Sequence, residues 1–527
     1  MLDKKIFMVL MVLSLCACKS QKDSDELVYE KIPNTTPRNV IFILSDDHRY
    51  DYMGFMNKIP WLETPNLDKL AASGAHFENA FVTTSLCSPS RASILTGQFS
   101  HVHQVVDNIA LEPAGLIYFP QYLQKEGYQT AFIGKWHMGS HEDHPRPGFD
   151  KWVSFKGQGE YYNPEISIDG QRKKYTDSAY ITEILTDLAL DWLKERDRNR
   201  PFFLYLSHKS IHSEFDAAKQ DRGRYHGKPI PKPVTRDITR ADIVEKMKIT
   251  HRDKSTRSKE AGGKNWKNPP MDGVNYDGIP QWVINQRESW HGVDYAYHRP
   301  SYLDTVIWRY AETLYSMDRE IGRVLDYLEQ EGLAESTMVI YMGDNGFLFG
   351  EHGLIDKRHM YEESLKVPLL VRCPDLVKAN IKIPQMVQNI DIGPTILELA
   401  GIKTPSQMNG RSFAPLLRGE TPEDWRERIY YEYYWEHDFP QTPTMHGVRT
   451  DRYKLIRYHG VWDTNEFYDL QNDPYETNNL IESPEHQRII RQLTSDIYDW
   501  LESTGGMQIP LKRTVKYRYG DHVNRGM

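Results

Sequence analysis

The chain has 527 residues, 39% of them hydrophobic and 26% charged, which allows a large buried core and argues against wholesale disorder. Its formal net charge of -8 speaks against nucleic-acid binding as the main activity, yet leaves room for a local cationic pocket that takes an anionic substrate.

At the start, Lys4 and Lys5 precede an apolar run over 6–15 that is too short to span a bilayer as a mature helix and reads as an export signal. Leu15-Cys16-Ala17-Cys18 resembles the lipobox of bacterial lipoproteins. That resemblance implies a signal peptide over 1–18, lipidation of Cys18, and a polar tether over 19–37; an ordinary cleaved signal is the other reading. No later segment is apolar and long enough to cross a membrane, so the expected attachment is through the lipid anchor only. The expected location is the periplasm, outer membrane or cell surface of a Gram-negative bacterium. Cys87 and Cys373 remain in the mature body, where one disulfide is the bland account of both, but a chain this large hardly needs one bridge and the neighbours of Cys87 suggest a different use.

The body alternates between strand and helix signals. Residues 39–44 are an almost wholly apolar, β-branched run, as in a strand buried on both faces. Thr64-Pro65 opens a helix with Thr64 as cap, Leu67, Leu70 and Ala71 as its inner stripe, and Gly74 as its stop. Residues 130–133 and 202–206 are further strands. Residues 310–331 form an amphipathic helix stopped by Gly332, and 338–342 follow as another buried strand. The order predicts an α/β fold, a large mostly parallel sheet flanked by helices. Residues 216–300 are polar and irregular, an insertion or lid within a catalytic domain over 38–428. From 429 to 527 the texture changes to tyrosine-rich antiparallel strands and a helix over 484–501, a smaller C-terminal α+β subdomain.

Several polar residues fall just past the expected strand ends: Asp46 and Asp47, Lys135 and His137, His208 and His212, Asp344 and Asn345. In open α/β sheets the carboxyl ends of the strands line the ligand crevice, so these groups should converge. Asp46, Asp47, Asp344 and Asn345 offer only oxygen, the donor set of a hard divalent cation. Lys135, His137, His212 and Lys357 add positive charge and donors around an anion. Together they read as metal-assisted hydrolysis of an anionic ester, with sulfate and phosphate still unseparated.

The segment Cys87-Ser88-Pro89-Ser90-Arg91, continuing through Leu95-Thr96-Gly97, resembles the signature of the type I sulfatases of the alkaline phosphatase superfamily. So do Gly134-Lys135-Trp136-His137-Met138-Gly139, Gly343-Asp344-Asn345-Gly346, Gly350-Glu351-His352-Gly353 and 356–364, in the same order. The resemblance implies that Cys87 is converted to Cα-formylglycine (3-oxoalanine) by a formylglycine-generating maturase and hydrated to a geminal diol. One diol hydroxyl attacks sulfur, and one calcium ion is held by Asp46, Asp47, Asp344, Asn345 and the modified Cys87. Arg91 stabilises the diol oxyanion, His137 partners the second hydroxyl, and Lys135 and Lys357 bind sulfate oxygens. His212 protonates the departing sugar oxygen. The covalent sulfate ester then collapses as the second hydroxyl loses its proton, releasing sulfate and restoring the aldehyde. In Ser207-His208-Lys209-Ser210-Ile211-His212 an isoleucine stands where the family pattern has proline, so His208 remains the alternative acid.

Residues 356–363 are most similar to bacterial N-acetylglucosamine-6-O-sulfatases, which implies an exo-acting enzyme on glycosaminoglycan or mucin-type glycans. Asp356, Arg358 and His446 are then candidate sugar contacts, although Asp356 and Arg358 can equally pair with each other. Trp282, Trp290 and Tyr295 either shape the carbohydrate pocket or pack the lid. Two other functions fit less of the sequence. One is a formylglycine-dependent phosphonate or phosphodiester hydrolase. The other is a glycan-binding lipoprotein on a sulfatase fold, against which the intact Cys87, Arg91, Lys135, His137 and Lys357 speak.

Overall fold

Apolar strands with no face to show to water must be covered by helices on both sides. The structure, a computed structural model, describes residues 27–139, 141–233, 235, 278–287, 289, 291–292, 300–460 and 464–510. The leader with Cys18, most of 216–300 with Trp290 and Tyr295, and 511–527 lie outside the described residues.

A ten-stranded sheet occupies the centre. In chain order its strands are β1 Asn39–Ser45, β2 Ala75–Phe77, β3 Gln129–Lys135, β4 Lys151–Phe155, β5 Glu165–Ile168, β6 Gln171–Lys174, β7 Phe202–Ser207, β8 Thr337–Gly343, β9 Leu369–Arg372 and β10 Ile381–Ile383. Their spatial order is β10-β2-β9-β8-β1-β7-β3-β4-β5-β6. The block from β8 to β4 is parallel throughout, and β9 and β5 turn antiparallel at its two sides. The four strands expected from apolar runs are β1, β3, β7 and β8, all inside the parallel block.

Alternation along β1 divides the core in two. Val40, Phe42 and Leu44 face one layer, with α2 Cys87–Thr96 and α5 Ile392–Leu399. Ile41 and Ile43 face the other, with α1 Pro65–Ala72, α3 Ile181–Glu195 and α4 Pro300–Gln330. Each fully buried leucine or isoleucine there contributes about 1.5–3 kcal/mol relative to an exposed one.

The expected bounds of α1 hold, with Thr64 at the N-cap position and the helix ending before Gly74, but the contacts responsible differ. Thr64 does not cap the helix with its side chain; its hydroxyl accepts from Gly54 N at 2.7 Å and donates to Asp68 Oδ1 at 2.8 Å. Gly74 is required by close approach, since a Cβ there would lie 2.2 Å from Val371 O on β9. The disulfide reading also fails: Cys87 and Cys373 are both free and buried, and Cys373 Sγ donates to Asp375 Oδ1 at 3.1 Å.

Towards the C-terminus, β11 Arg428–Tyr433, β12 Thr444–Thr450, β13 Tyr453–His459 and β14 Glu466–Asp469 form an antiparallel sheet in that order. Val448, Leu455 and Phe467 pack on Leu493, Ile497 and Leu501 of α6 Gln487–Thr504. Period two along β12 puts His446 on the same face as Val448, with its ring 6.0 Å from that of Trp500. His446 is buried there beside Tyr434 and His459.

Gly134 sits in β3 with φ of +131°, and a Cβ would fall 1.8 Å from Ser207 O on β7. Gly134→Ala is expected to cost about 3 kcal/mol or more of stability, measured by denaturant unfolding. A loss below about 1 kcal/mol would show that the strands can part without penalty.

Candidate active site at the carboxyl ends of the parallel strands

The chain leaves β1, β3, β7 and β8 at one edge of the sheet, and the turns that follow are tied to each other through the backbone. Asp46 N donates to Ser210 O at 2.8 Å, Ile211 N to Asp46 O at 2.7 Å, and Asp344 N to Ser45 O at 2.9 Å. Asp47 N donates to Asp344 Oδ1 at 3.0 Å. Asp47 and His137 have φ of 58° and 60°, a left-handed backbone that turns each side chain back over the strand ends.

Asp46, Asp47, Asp344 and Asn345 are completely buried. One carboxylate oxygen from each aspartate lies within 4.8 Å of the others. Burial opposes ionisation of Asp46, but Lys135, His212, Arg91 and Lys357 outweigh it and hold its carboxyl well below the usual range. Burial raises Asp47 to about 7, with Lys357 opposing and Asp46 and Asp344 adding to the rise. Asp344 is raised by burial and by Asp46. Asp47 Oδ2 and Asn345 Oδ1 are buried without a hydrogen-bond partner. Crowded carboxylates and an unmatched amide oxygen are the surroundings that a hard divalent cation relieves, so these four residues fit calcium.

Cys87 is the first residue of α2, whose ten residues are all buried. Its Sγ lies 3.3 Å from Asp46 Oδ1 and accepts from Lys357 Nζ at 3.1 Å. Burial, then Asp46, pushes the thiol pKa up, so the unmodified side chain is a protonated, poor nucleophile. Lys357 also pairs with Asp47, and Lys135 with Asp46. Arg91 lies one turn beyond Cys87; its Nε donates to Asp344 Oδ2 at 2.9 Å, and its Nη1 to Lys135 O at 2.8 Å and Ser207 Oγ at 2.6 Å. Arg91 therefore ties α2 to β3, β7 and the turn after β8.

His212 Nε2 lies 3.8 Å from Asp47 Oδ2, and burial together with Lys135 depresses its pKa well below the usual value. His137 Nδ1 is 3.5 Å from Ser88 Oγ, and burial then Lys135 depress it likewise. His208 is buried elsewhere: neither ring nitrogen has a hydrogen-bond partner, and burial alone lowers it to about 3. Of the two candidate acids, His212 is the one brought to the cluster. Asp356 pairs with Arg358 and with His291 Nδ1 at 3.2 Å. Arg358 also donates to Glu436 Oε1 at 2.8 Å and stacks 3.3 Å over Phe439. Trp282 packs in the core, its ring 5.0 Å from His359.

Three further neighbours were given no role from the sequence, although Ser207 and Lys209 lie in the segment 207–212 that resembles a family pattern. Gln158 accepts from Lys135 Nζ at 2.5 Å, and its place in a Gly-Gln-Gly turn after β4 is the one available cue. Ser207 ends β7 and binds Arg91. Lys209 lies 4.4 Å over the Tyr161 ring, and burial with Lys135 lowers it to about 8.

The family model described as sulfatase matches residues 38–402, and that of the N-sulphoglucosamine sulphohydrolase C-terminal region matches 350–503. The chain belongs to the sulfatase family. It is a sulfuric ester hydrolase on an alkaline-phosphatase-like fold. The chain is 34% identical over 516 residues to an N-acetylglucosamine-6-O-sulfatase of Bacteroides thetaiotaomicron, covering 93% of this chain and 89% of that one. It is 31% identical over 433 residues to the human N-acetylglucosamine-6-sulfatase, covering 78% and 69%. The solved structure of BT4656 with its substrate D-glucosamine-2-N,6-O-disulfate superposes with a TM-score of 0.74 and 30% identity, covering 91% of this chain and 100% of that one. A phosphonate monoester hydrolase of Agrobacterium radiobacter superposes at 0.69 with 18% identity, covering 89% and 96%, and shows the fold alone.

Because Asp46, Asp47 and Asp344 repel one another inside the fold, calcium added after chelation is expected to raise the melting temperature by a few degrees. Asp344→Asn should blunt that rise. A melting temperature indifferent to calcium in the parent protein would contradict the cation fit.

Proposed function

We propose that the protein is an exo-acting N-acetylglucosamine-6-O-sulfatase that removes the 6-O-sulfate of glycosaminoglycan or mucin-type glycans. The observation that carries this reading is similarity over nearly the whole chain to a sulfatase of that specificity, with Cys87 Sγ set between Asp46 and Lys357. Converted to formylglycine by a maturase and hydrated, position 87 would supply the nucleophile, and calcium held by Asp46, Asp47, Asp344 and Asn345 would supply Lewis acidity there.

The chain's own residues do the rest. Lys357 and Lys135 turn from their aspartates to the sulfate oxygens and fix the sulfur in line with position 87. Arg91 keeps Asp344 in register and leaves positive charge beside the developing oxyanion. His137 takes the proton of the second hydroxyl. His212 stands neutral beside Lys135 and Lys357; an arriving sulfate offsets those charges, lifts its pKa and lets it carry the proton for the leaving sugar oxygen. Asp356 and Arg358, already aligned by each other and by Glu436, present their outer atoms to sugar hydroxyls.

On the same reading 1–18 is a lipoprotein signal with Cys18 lipidated, 19–37 a tether, 38–428 the catalytic domain and 429–527 the C-terminal subdomain. The enzyme is then exported and lipid-anchored. Among the described residues no helix is long and apolar enough to cross a membrane.

Sulfate release from N-acetylglucosamine-6-sulfate is expected to exceed hydrolysis of a phosphonate monoester by orders of magnitude in kcat/KM. The reverse order would favour the phosphonate hydrolase reading. His212→Gln should lower kcat on the sugar sulfate about 100-fold or more, and much less on an aryl sulfate whose leaving group needs no proton. Equal losses on both substrates would remove His212 from the acid role.

A further inference from the structure

Behind the loop that carries Lys357 lies a second cluster of metal-ligating groups. A ring nitrogen of His352 and one carboxylate oxygen each of Glu363 and Glu476 lie within 4.8 Å of one another, and all three residues are buried. The two ligands from the loop stand on either side of Lys357: His352 in the turn Glu351–Gly353, and Glu363 in the short helix Glu362–Leu365. The third comes from beyond β14.

Each group is held from behind. The His352 ring stacks on Tyr361 with centroids 3.8 Å apart, and His352 N donates to Thr235 Oγ1 at 3.0 Å. Glu476 Oε2 accepts from Glu362 N at 2.9 Å, and Lys454 approaches Glu476 Oε1 at 2.7 Å. Glu363 Oε2 is buried too, its residue only 8% exposed, and no donor among the described residues reaches it. An ionised buried oxygen without a partner is costly, so something electropositive belongs beside it.

The charges around the cluster point the same way. The carboxylates Asp51, Glu351, Glu362, Glu363 and Glu476 lie among the cations Arg49, Lys366, Arg449 and Lys454, with Lys58 lining the same cavity as Glu363. Asp51 and Glu351 are taken by Arg49, and Glu362 by Arg449 and Lys454. Among the described residues Glu363 is left without an ion-pair partner. A cavity of about 100 Å³, lined by Glu351, Glu363, Lys58 and Tyr475 among others, opens a route to it.

We propose that His352, Glu363 and Glu476 bind a divalent transition-metal ion of the zinc class. One imidazole and two carboxylates are a donor set such ions accept, with a remaining position for water. The ion is distinct from the calcium of the catalytic cluster, which has oxygen donors only from Asp46, Asp47, Asp344 and Asn345. It pins both ends of the Lys357 loop to the segment after β14, and so fixes Lys357 against Asp47 and Cys87.

The test uses the full chain, stripped by chelation, saturated with calcium and titrated with Co²⁺ as the spectroscopic probe. Expected is one saturable equivalent of calcium-resistant cobalt with visible d–d absorption, lost in Glu363→Gln and in His352→Gln. No calcium-resistant cobalt in the parent protein, or full binding in both variants, overturns the proposal. Anomalous scattering at the cobalt edge from crystals of the parent protein locates the ion even if a variant fails to fold. Density between His352, Glu363 and Glu476 supports the site, and density only elsewhere overturns it.

Discussion

Asp46, Asp47 and Asp344 are buried together, and burying even one unpaired carboxylate costs several kcal/mol. The surrounding chain is arranged to offset that cost. Lys135 answers Asp46, Lys357 answers Asp47 and Arg91 answers Asp344, each cation arriving from a different stretch of sequence. A divalent ion among the carboxylates, as proposed above, would take over the charge of the two lysines and leave them able to exchange an aspartate for a sulfate. The same balance explains why Cys87 is a poor nucleophile as a thiol: its nearest acceptor is a carboxylate, and burial keeps it protonated.

Such a cluster holds only if the backbone around it cannot relax. Gly346 illustrates the constraint, since a Cβ there would lie 2.1 Å from Glu363 O, in the helix behind Lys357. Gly134 and Gly346 thus record close approaches of main chain, while the acids, lysines and histidines beside them record charge. Asp356 and Arg358, with φ of 90° and 89°, are held in left-handed backbone by their mutual ion pair, His291 and Glu436.

The parallel core was legible because β1, β3, β7 and β8 are buried on both faces and therefore read as unbroken apolar runs. Their chemistry was legible because charged residues stand directly after them. Contacts set by alternation or by distant loops were not. His446 lies in β12, a strand that was not among those expected from the sequence, and its facing, set by register, brings its ring beside Trp500 of α6. Gln158 and Glu436 enter the site through tertiary placement that no local pattern announces. Thr64 has the right residue type for a cap, yet its hydroxyl donates to Asp68 and serves the turn at Gly54.

The central claim is that position 87 works as a modified residue inside this charge cluster. The most direct measurement is the mass of the tryptic peptide containing residue 87, taken alongside sulfate release, across preparations with graded co-expression of a formylglycine maturase. The account predicts that activity rises in proportion to the fraction in which sulfur is replaced by oxygen with loss of two hydrogens, and extrapolates to nearly none without conversion. Full activity from a chain carrying only unmodified Cys87 would contradict it.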